Sequence, residues 1–299
     1  MSDLRIACLV PSATDLVAAL GLGDAVVGVS HECDHPLAEG KPVLTRSRVP
    51  AAGKATGGAS PGDVDAAVGE ALAAGESLYV ADRELLASLR PDIVLSQDVC
   101  DVCAVALAQA RCDIPPGSRL LGLEATGLEG LRDDLRQVAA ALGVRARGDE
   151  VVAELDAAIG PAGAAEGPRV LALEWGDPPF TSGHWVPELL AHGGARSALG
   201  GPGEASRRAT WDEVRRTRPD VVVHLPCGYG LDTAQAEAEG LDVPGRLGGI
   251  GAALYAADAN ALFSRCTPQA VVAGVRAVRR VVEGSLAPGE RGDGLVRLR

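Results

Sequence analysis

The sequence predicts an α/β protein of two Rossmann-like lobes with parallel sheets, joined by a long backbone helix. Three observations predict it. Short apolar runs alternate with helix-forming stretches at both ends of the chain, the pattern that builds parallel sheets. One motif occurs twice: Arg90-Pro91-Asp92-Ile93-Val94-Leu95 returns as Arg218-Pro219-Asp220-Val221-Val222-Val223. Between the two copies the apolar spacing switches to three and four residues, the period of an amphipathic helix. The division that follows is an N-terminal α/β lobe over 1–126, a bridging helix and linker over 127–167, and a C-terminal α/β lobe over 168–299.

Taken in order, Ile6–Val10 reads as a buried strand. Ser12 or Thr14 is placed to cap a helix carrying Leu16, Val17 and Leu20, which Gly21 stops. Val26–Val29 is a second strand and runs into a loop bearing His31, Glu32 and Cys33. Ser77–Val80 is a third candidate strand. Arg83–Leu89 is helical until Pro91, and Ile93–Ser96 is a strand. The loop Gln97–Cys103 then leads into the Ala-rich helix Ala104–Ala110. From Leu128 the residues Leu131, Leu135, Val138 and Leu142, then Val151, Val152, Leu155 and Ile159, keep helical spacing. Gly143 and Gly148 interrupt it, giving one kinked helix or two in succession. Pro161–Gly167 is a linker of small residues. Beyond it the opening returns: Arg169–Leu173 echoes Arg5–Leu9, and Val186–Gly194 echoes Leu16–Gly21. A Cys-bearing loop follows each Arg-Pro-Asp strand, with Cys100 in the first and Cys227 in the second.

Composition excludes several partner classes. The net charge of −12 repels phosphate backbones, and no Lys/Arg cluster offsets it, so nucleic acid is not an expected partner. No stretch approaches the roughly 20 apolar residues of a membrane span. The run Ile6–Val10 is too short for a signal-peptide core and is closed by Pro11, so the protein is expected in the cytoplasm. Seven cysteines is an odd number, and there they read as thiols or metal ligands rather than a disulfide framework.

Ligands of parallel sheets sit beyond the carboxyl ends of the strands. The loops Pro11–Asp15, Ser30–Asp34, Gln97–Cys103, Glu174–Trp185 and Leu225–Gly230 all follow strands, and two facing lobes would gather them in one cleft. Cys33, Cys100, Cys103, and His184 or Cys227 would satisfy a tetrahedral site for zinc or a similar soft metal. The competing reading is buried thiols, the class assigned to Cys8, Cys112 and Cys266. The lone Cys100-x-x-Cys103 also admits dithiol redox chemistry. Trp175, Phe180 and Trp185 fall within eleven residues of a chain with only 3% aromatics. Gly176, Pro178, Pro179 and Gly183 lie among them, which predicts an irregular loop at the cleft rather than regular core. Glu174 and Asp177 are surface acids, or bind ligand amides, or orient a ligating His. Ser12, Thr14 and Asp15 offer hydrogen bonds to a ligand or cap their helix. No nucleophile elbow, phosphate-binding loop or His-Glu-x-x-His is present, and the expectation is binding rather than catalysis.

A family resemblance sharpens this. Arg5-Ile6 through Pro11-Ser12-Ala13-Thr14-Asp15, with Leu20-Gly21, resembles the opening of the helical-backbone solute-binding proteins. These are the binding proteins of cobalamin, haem and iron–siderophore ABC importers. The two Arg-Pro-Asp strands fit, as does Val243–Leu247 followed by Leu254–Asp258, and the resemblance covers nearly the whole chain. It is strongest to the cobalamin-binding branch, in a subgroup without signal peptides. His31-Glu32-Cys33-Asp34, the Cys100/Cys103 loop, Glu174-Trp175, Gly183-His184-Trp185 and Pro226-Cys227-Gly228 look like recurrent features of that subgroup. The resemblance implies a stiff helical spine and cobalamin or a related corrinoid as the small-molecule ligand. His31 and His184 would then be axial nitrogen candidates. Trp175, Phe180, Trp185 and Tyr229 would supply flat apolar walls, with Ser12, Thr14, Glu32 and Glu174 as polar contacts. An importer's binding protein works outside the cytoplasmic membrane, so the missing export signal speaks against an ABC permease as partner. Cytoplasmic capture, storage or sensing is expected instead.

Overall fold

The computed structural model describes residues 4–48, 70–71, 78–97, 99, 113–163 and 166–299. The chain separates into two compact units. One holds the residues up to Ala125 together with Glu129–Val152, and the other Thr126–Leu128 together with Ala153–Arg299.

In chain order the first unit comprises β1 (Ile6–Cys8), α1 (Pro11–Ala19), β2 (Val26–Gly28), β3 (Thr45–Ser47), β4 (Tyr79–Ala81), α2 (Arg83–Leu89), β5 (Ile93–Gln97), β6 (Arg119–Leu123), α3 (Leu128–Ala141) and the start of α4 (Arg145–Ile159). Its sheet runs β2-β1-β5-β6, all parallel, with Ile6 opposite both Val26 and Ile93. The third candidate strand lies outside this sheet: β4 pairs antiparallel with β3 in a two-stranded ribbon. Leu9, Leu44, Leu78, Leu86 and Val94 form the core beneath. The expected capping by Ser12 or Thr14 does not occur. Val10 is the N-cap and Pro11 the first helical residue, where its missing N–H costs nothing and its fixed φ suits the helix. Ser12 and Thr14 therefore lie inside α1, and Thr14 is fully buried. Gly21, at φ 76°, ends the segment as expected.

The bridging segment is two helices. Gly143, at φ 77°, breaks the ladder between α3 and α4. Gly148 is not a break: it sits within α4, where a Cβ would come 2.5 Å from the Ala139 side chain, so it permits close approach of α4 to α3. Leu131, Leu135, Val138 and Leu142 are all buried, as their spacing predicts. The division between the units falls inside α4, after Val152. At its far end Arg279 bonds the Ile159 carbonyl and His192 Nδ1 lies 2.7 Å from the Gly160 oxygen, closing carbonyls that a helix end leaves open.

The second unit continues with β7 (Arg169–Gly176), β8 (Pro179–Thr181), α5 (Val186–His192), β9 (Arg196–Ser197), α6 (Trp211–Thr217), β10 (Val221–His224), α7 (Leu231–Gly240), α8 (Val243–Arg246), β11 (Ala253–Ala257), α9 (Ala259–Leu262), α10 (Pro268–Glu283), β12 (Arg291–Gly292) and β13 (Leu295–Arg297). Its parallel strands β9-β7-β10-β11 repeat the order β2-β1-β5-β6, while β8, β12 and β13 join antiparallel. The duplication extends to single atoms. Arg90 and Arg218 both end their helices in the left-handed region, at φ 43° and 47°. Asp92 Oδ2 accepts the Arg5 amide at 2.8 Å, and Asp220 Oδ2 accepts the Arg169 amide at 2.8 Å. That bond, with the Arg169 guanidinium beside it, holds Asp220 below the usual carboxylate range.

Of the stretch from Trp175 to Trp185, predicted as an irregular loop from its Gly and Pro content, only residues 182–185 form one. Trp175 pairs with Phe180 and Gly176 with Pro179, forming a β7–β8 hairpin around Asp177-Pro178. Gly176 leaves room there for the methyl groups of Leu241, which a Cβ would displace.

Candidate functional site

In the second unit the strand order reverses between β7 and β10, the point where open α/β sheets bind ligands. The residues there come from the hairpin, from the loop after it and from the loop after β10. Trp175 meets the Tyr229 ring edge-on, 5.5 Å between centroids. Tyr229 ends a tight turn whose amide bonds back to the Pro226 carbonyl at 3.0 Å, and Cys227 is exposed on that turn. Asn260 Nδ2 donates to the Gly228 carbonyl at 2.9 Å, and the Gly228 amide donates to Ser264 Oγ at 3.3 Å. The loop is thus tied to α9 and the residues after it. Burial, with the Glu237 carboxylate adding, raises the Tyr229 phenol above its ordinary range.

His184 is held in an uncommon way. Its φ is 51°, a conformation that costs a non-glycine residue roughly 1–2 kcal/mol. Two backbone bonds enforce it, from the His184 amide to the Glu204 carbonyl at 2.6 Å and from the Gly203 amide to the His184 carbonyl at 2.9 Å. Gly183 makes the approach possible, since a Cβ would run into the Glu204 oxygen and the Ser206 nitrogen. The half-buried imidazole lies 5.8 Å from the Trp185 ring, and burial lowers its pKa, so the neutral form prevails near pH 7. Trp185 is anchored by its Nε1, which donates to the Phe263 carbonyl at 2.8 Å. Glu174 accepts from the Gly183 amide at 3.4 Å, and Phe180 lies under the Arg208 guanidinium, 5.8 Å away. Asp177 bonds Arg246 at 3.0 Å, which accounts for it without a ligand.

In the first unit His31 follows β2. Thr45 Oγ1 accepts the His31 amide at 3.0 Å and lies 2.7 Å from its Nδ1, while the Thr45 hydroxyl donates to Ser30 at 3.2 Å. The Tyr79 ring stands 5.6 Å from the imidazole and its hydroxyl reaches Glu32 at 3.5 Å. His31 and Glu32 are therefore gathered with Thr45 and Tyr79, two residues that sequence reasoning did not single out. The polar Thr45-Arg46-Ser47 carries no apolar run to mark it as a strand. Asn260, Ser264 and Glu204 were missed for a related reason: each acts on a loop distant in sequence.

Ser12 is half-buried on the first turn of α1, and Thr14 faces the core beside Cys8, whose thiol burial pushes up to about 12. Such a thiol is inert. Cys8, Cys33 and Cys227 form no disulfide among the described residues, and the Cys266 thiol lies 3.9 Å from the Gly127 carbonyl. Cys100 and Cys103 lie outside the described residues, as do Cys112 and the helix expected over 104–110. Among the described residues no three His, Cys, Asp or Glu side chains come together to hold a metal, so they do not by themselves assemble the zinc-like set of Cys33, Cys100, Cys103, His184 and Cys227. No helix among them is long and apolar enough to cross a membrane.

Comparison with known proteins agrees with this architecture. A model of periplasmic binding proteins matches residues 6–241. No curated protein sequence matches the chain. A periplasmic heme-binding protein from Pseudomonas aeruginosa is similar in structure, with a TM-score of 0.67 at 20% identity over 98% of this chain and 97% of its own. A heme-binding protein from Roseiflexus sp. RS-1 gives 0.64 at 21% identity, covering 94% and 100%. The periplasmic vitamin B12-binding protein of Vibrio cholerae gives 0.59 at 16% identity, covering 94% and 97%. At these identities the likeness is one of fold. The match over most of its length carries the assignment further: this chain belongs to the periplasmic binding protein family, whose members hold small molecules rather than transform them.

Proposed function

We propose that this protein binds a flat, metal-bearing macrocycle, cobalamin or a related corrinoid, through the loops that follow its parallel strands. His184 is the observation that carries the reading. A neutral imidazole, half-buried and kept in a strained backbone conformation, suits a cobalt axial position. Its neighbour Trp185 and the Trp175–Tyr229 pair offer aromatic faces of the kind that line small-molecule sites. That structurally similar proteins include heme-binding and vitamin B12-binding ones supports the class of ligand and leaves the choice within it to experiment. Titration with cobalamin and, separately, with haemin tests it. A shift of the corrinoid bands that His184→Ala abolishes is expected. Haemin binding without cobalamin binding would move the assignment to haem, and no spectral change or heat with either would overturn it.

We also propose that the protein acts in the cytoplasm, in capture, storage or sensing of its ligand. Cys8, Cys33 and Cys227 form no disulfide among the described residues, which suits a reducing compartment. Cell fractionation is the check. Recovery with the periplasmic or membrane-attached fraction would restore an ABC permease as its partner.

A further inference from the structure

His224 and Glu237 form a pair that the ligand reading does not use. His224 ends β10 and is 0% exposed; its Nε2 lies 3.2 Å from Glu237 Oε2 on α7, whose side chain is 8% exposed. Neither ring nitrogen and neither carboxylate oxygen has a partner in hydrogen-bond geometry. A polar pair so placed is poor stabilising material, because taking both groups out of water costs about what their mutual attraction returns. Its neighbourhood suggests another use. The face of α7 that meets the sheet carries Ala234 and Ala238, packed with Ala256 and Val296, and the partly buried Leu231 and Leu298 pack against the same cluster. Apart from Leu231 at its first turn, this face is of small side chains, which hold a helix's register only weakly, whereas a buried polar pair fixes one register. Between His224 and the start of α7 lies the loop Leu225–Gly230. Its carbonyl at Gly230 accepts the Ala234 amide at 3.0 Å in the first turn of the helix, and it carries Tyr229 against Trp175.

We propose that His224 and Glu237 are positioning residues that lock the register of α7 on β10 and so set where Tyr229 stands against Trp175. This rests on the reading of Trp175 and Tyr229 as ligand-facing, but its direct readout does not. Protein labelled with 5-fluorotryptophan gives one resonance for each of Trp175, Trp185 and Trp211, assigned by single Trp→Phe variants. The comparison is between the native protein and the His224→Leu/Glu237→Leu double variant, which leaves no uncompensated charge and is expected to melt no lower than the native protein. The Trp175 resonance should move or broaden in the double variant, and Tyr229→Phe should leave it far less affected. Affinity for cyanocobalamin or haemin, whichever the native protein binds, should fall several-fold. An unchanged Trp175 resonance in a folded double variant overturns the positioning role whatever ligand is bound. A moved resonance in a protein that binds neither probe upholds the register lock and removes only the ligand assignment. If the double variant does not fold, the same resonance is read in Glu237→Gln, with the same two outcomes.

Discussion

The backbone at His184 is strained while its imidazole is kept neutral, and the two features are separable by substitution. Glycine accepts φ 51° without penalty, so His184→Gly is expected to raise stability by up to about 1 kcal/mol while abolishing ligand binding. Urea denaturation and a cobalamin titration on the same variant check both halves, and a loss of stability would mean that the side chain, not function, keeps the conformation. A second residue gives the fold a pH response. Asp134 on α3 is buried and accepts the amides of Glu124 and Ala125 at 3.0–3.1 Å. Burial outweighs those bonds and raises its carboxyl from 3.8 to about 6. The folded state thus holds the proton more tightly than the unfolded chain. That contribution to stability is fully present below pH 4 and is lost as pH rises through about 6. Urea midpoints should therefore fall between pH 5 and 7 more steeply for the native protein than for Asp134→Asn. Equal slopes would assign the titration elsewhere.

At the scale of elements the repeated Arg-Pro-Asp segments make a paired experiment. Each Arg ends its helix in the left-handed region and each Asp binds the amide that opens the neighbouring strand, with matching distances. Arg90→Gly and Arg218→Gly should each stabilise their own unit by up to about 1 kcal/mol, because glycine is the residue that this helix end favours. A gain at one site and a loss at the other, by thermal unfolding, would show that the two turns are alike in shape only. These segments were legible in the sequence because everything that shapes them is local: proline after the turn, aspartate two residues on, a β-branched run behind. The β7–β8 hairpin was not. Its Gly and Pro residues read as a loop, and only pairing of Trp175 with Phe180 makes it a strand edge. Gly148 misled for the same reason, since its role is set by Ala139, nine residues away on the adjoining helix.

For the whole molecule, membership of a binding-protein family makes stability depend on ligand. A ligand that binds only the folded chain adds about 2.7 kcal/mol at a hundred times its dissociation constant. Cobalamin at that excess should raise the melting temperature of the native protein and leave that of His184→Ala where it was. A rise in both would place the ligand away from His184. The order of parallel strands is the same in each unit, so each carries its own switch point and its own set of post-strand loops.

Alternation of strands and helices, the helical spacing from Leu128 to Ile159, the duplication and the resemblance to solute-binding proteins were all readable from the chain, because each is written in residues close together or in a motif repeated whole. So were the His and Trp residues of the post-strand loops, since rare residue types stand out against a background of Ala, Val and Leu. Only the tertiary structure decided what those residues touch. It set Thr45 beside His31, Glu204 behind His184, Asn260 beneath the Tyr229 turn and Glu237 against His224. Each of these pairs brings together positions that nothing local connects; packing of the sheets and helices creates the contact.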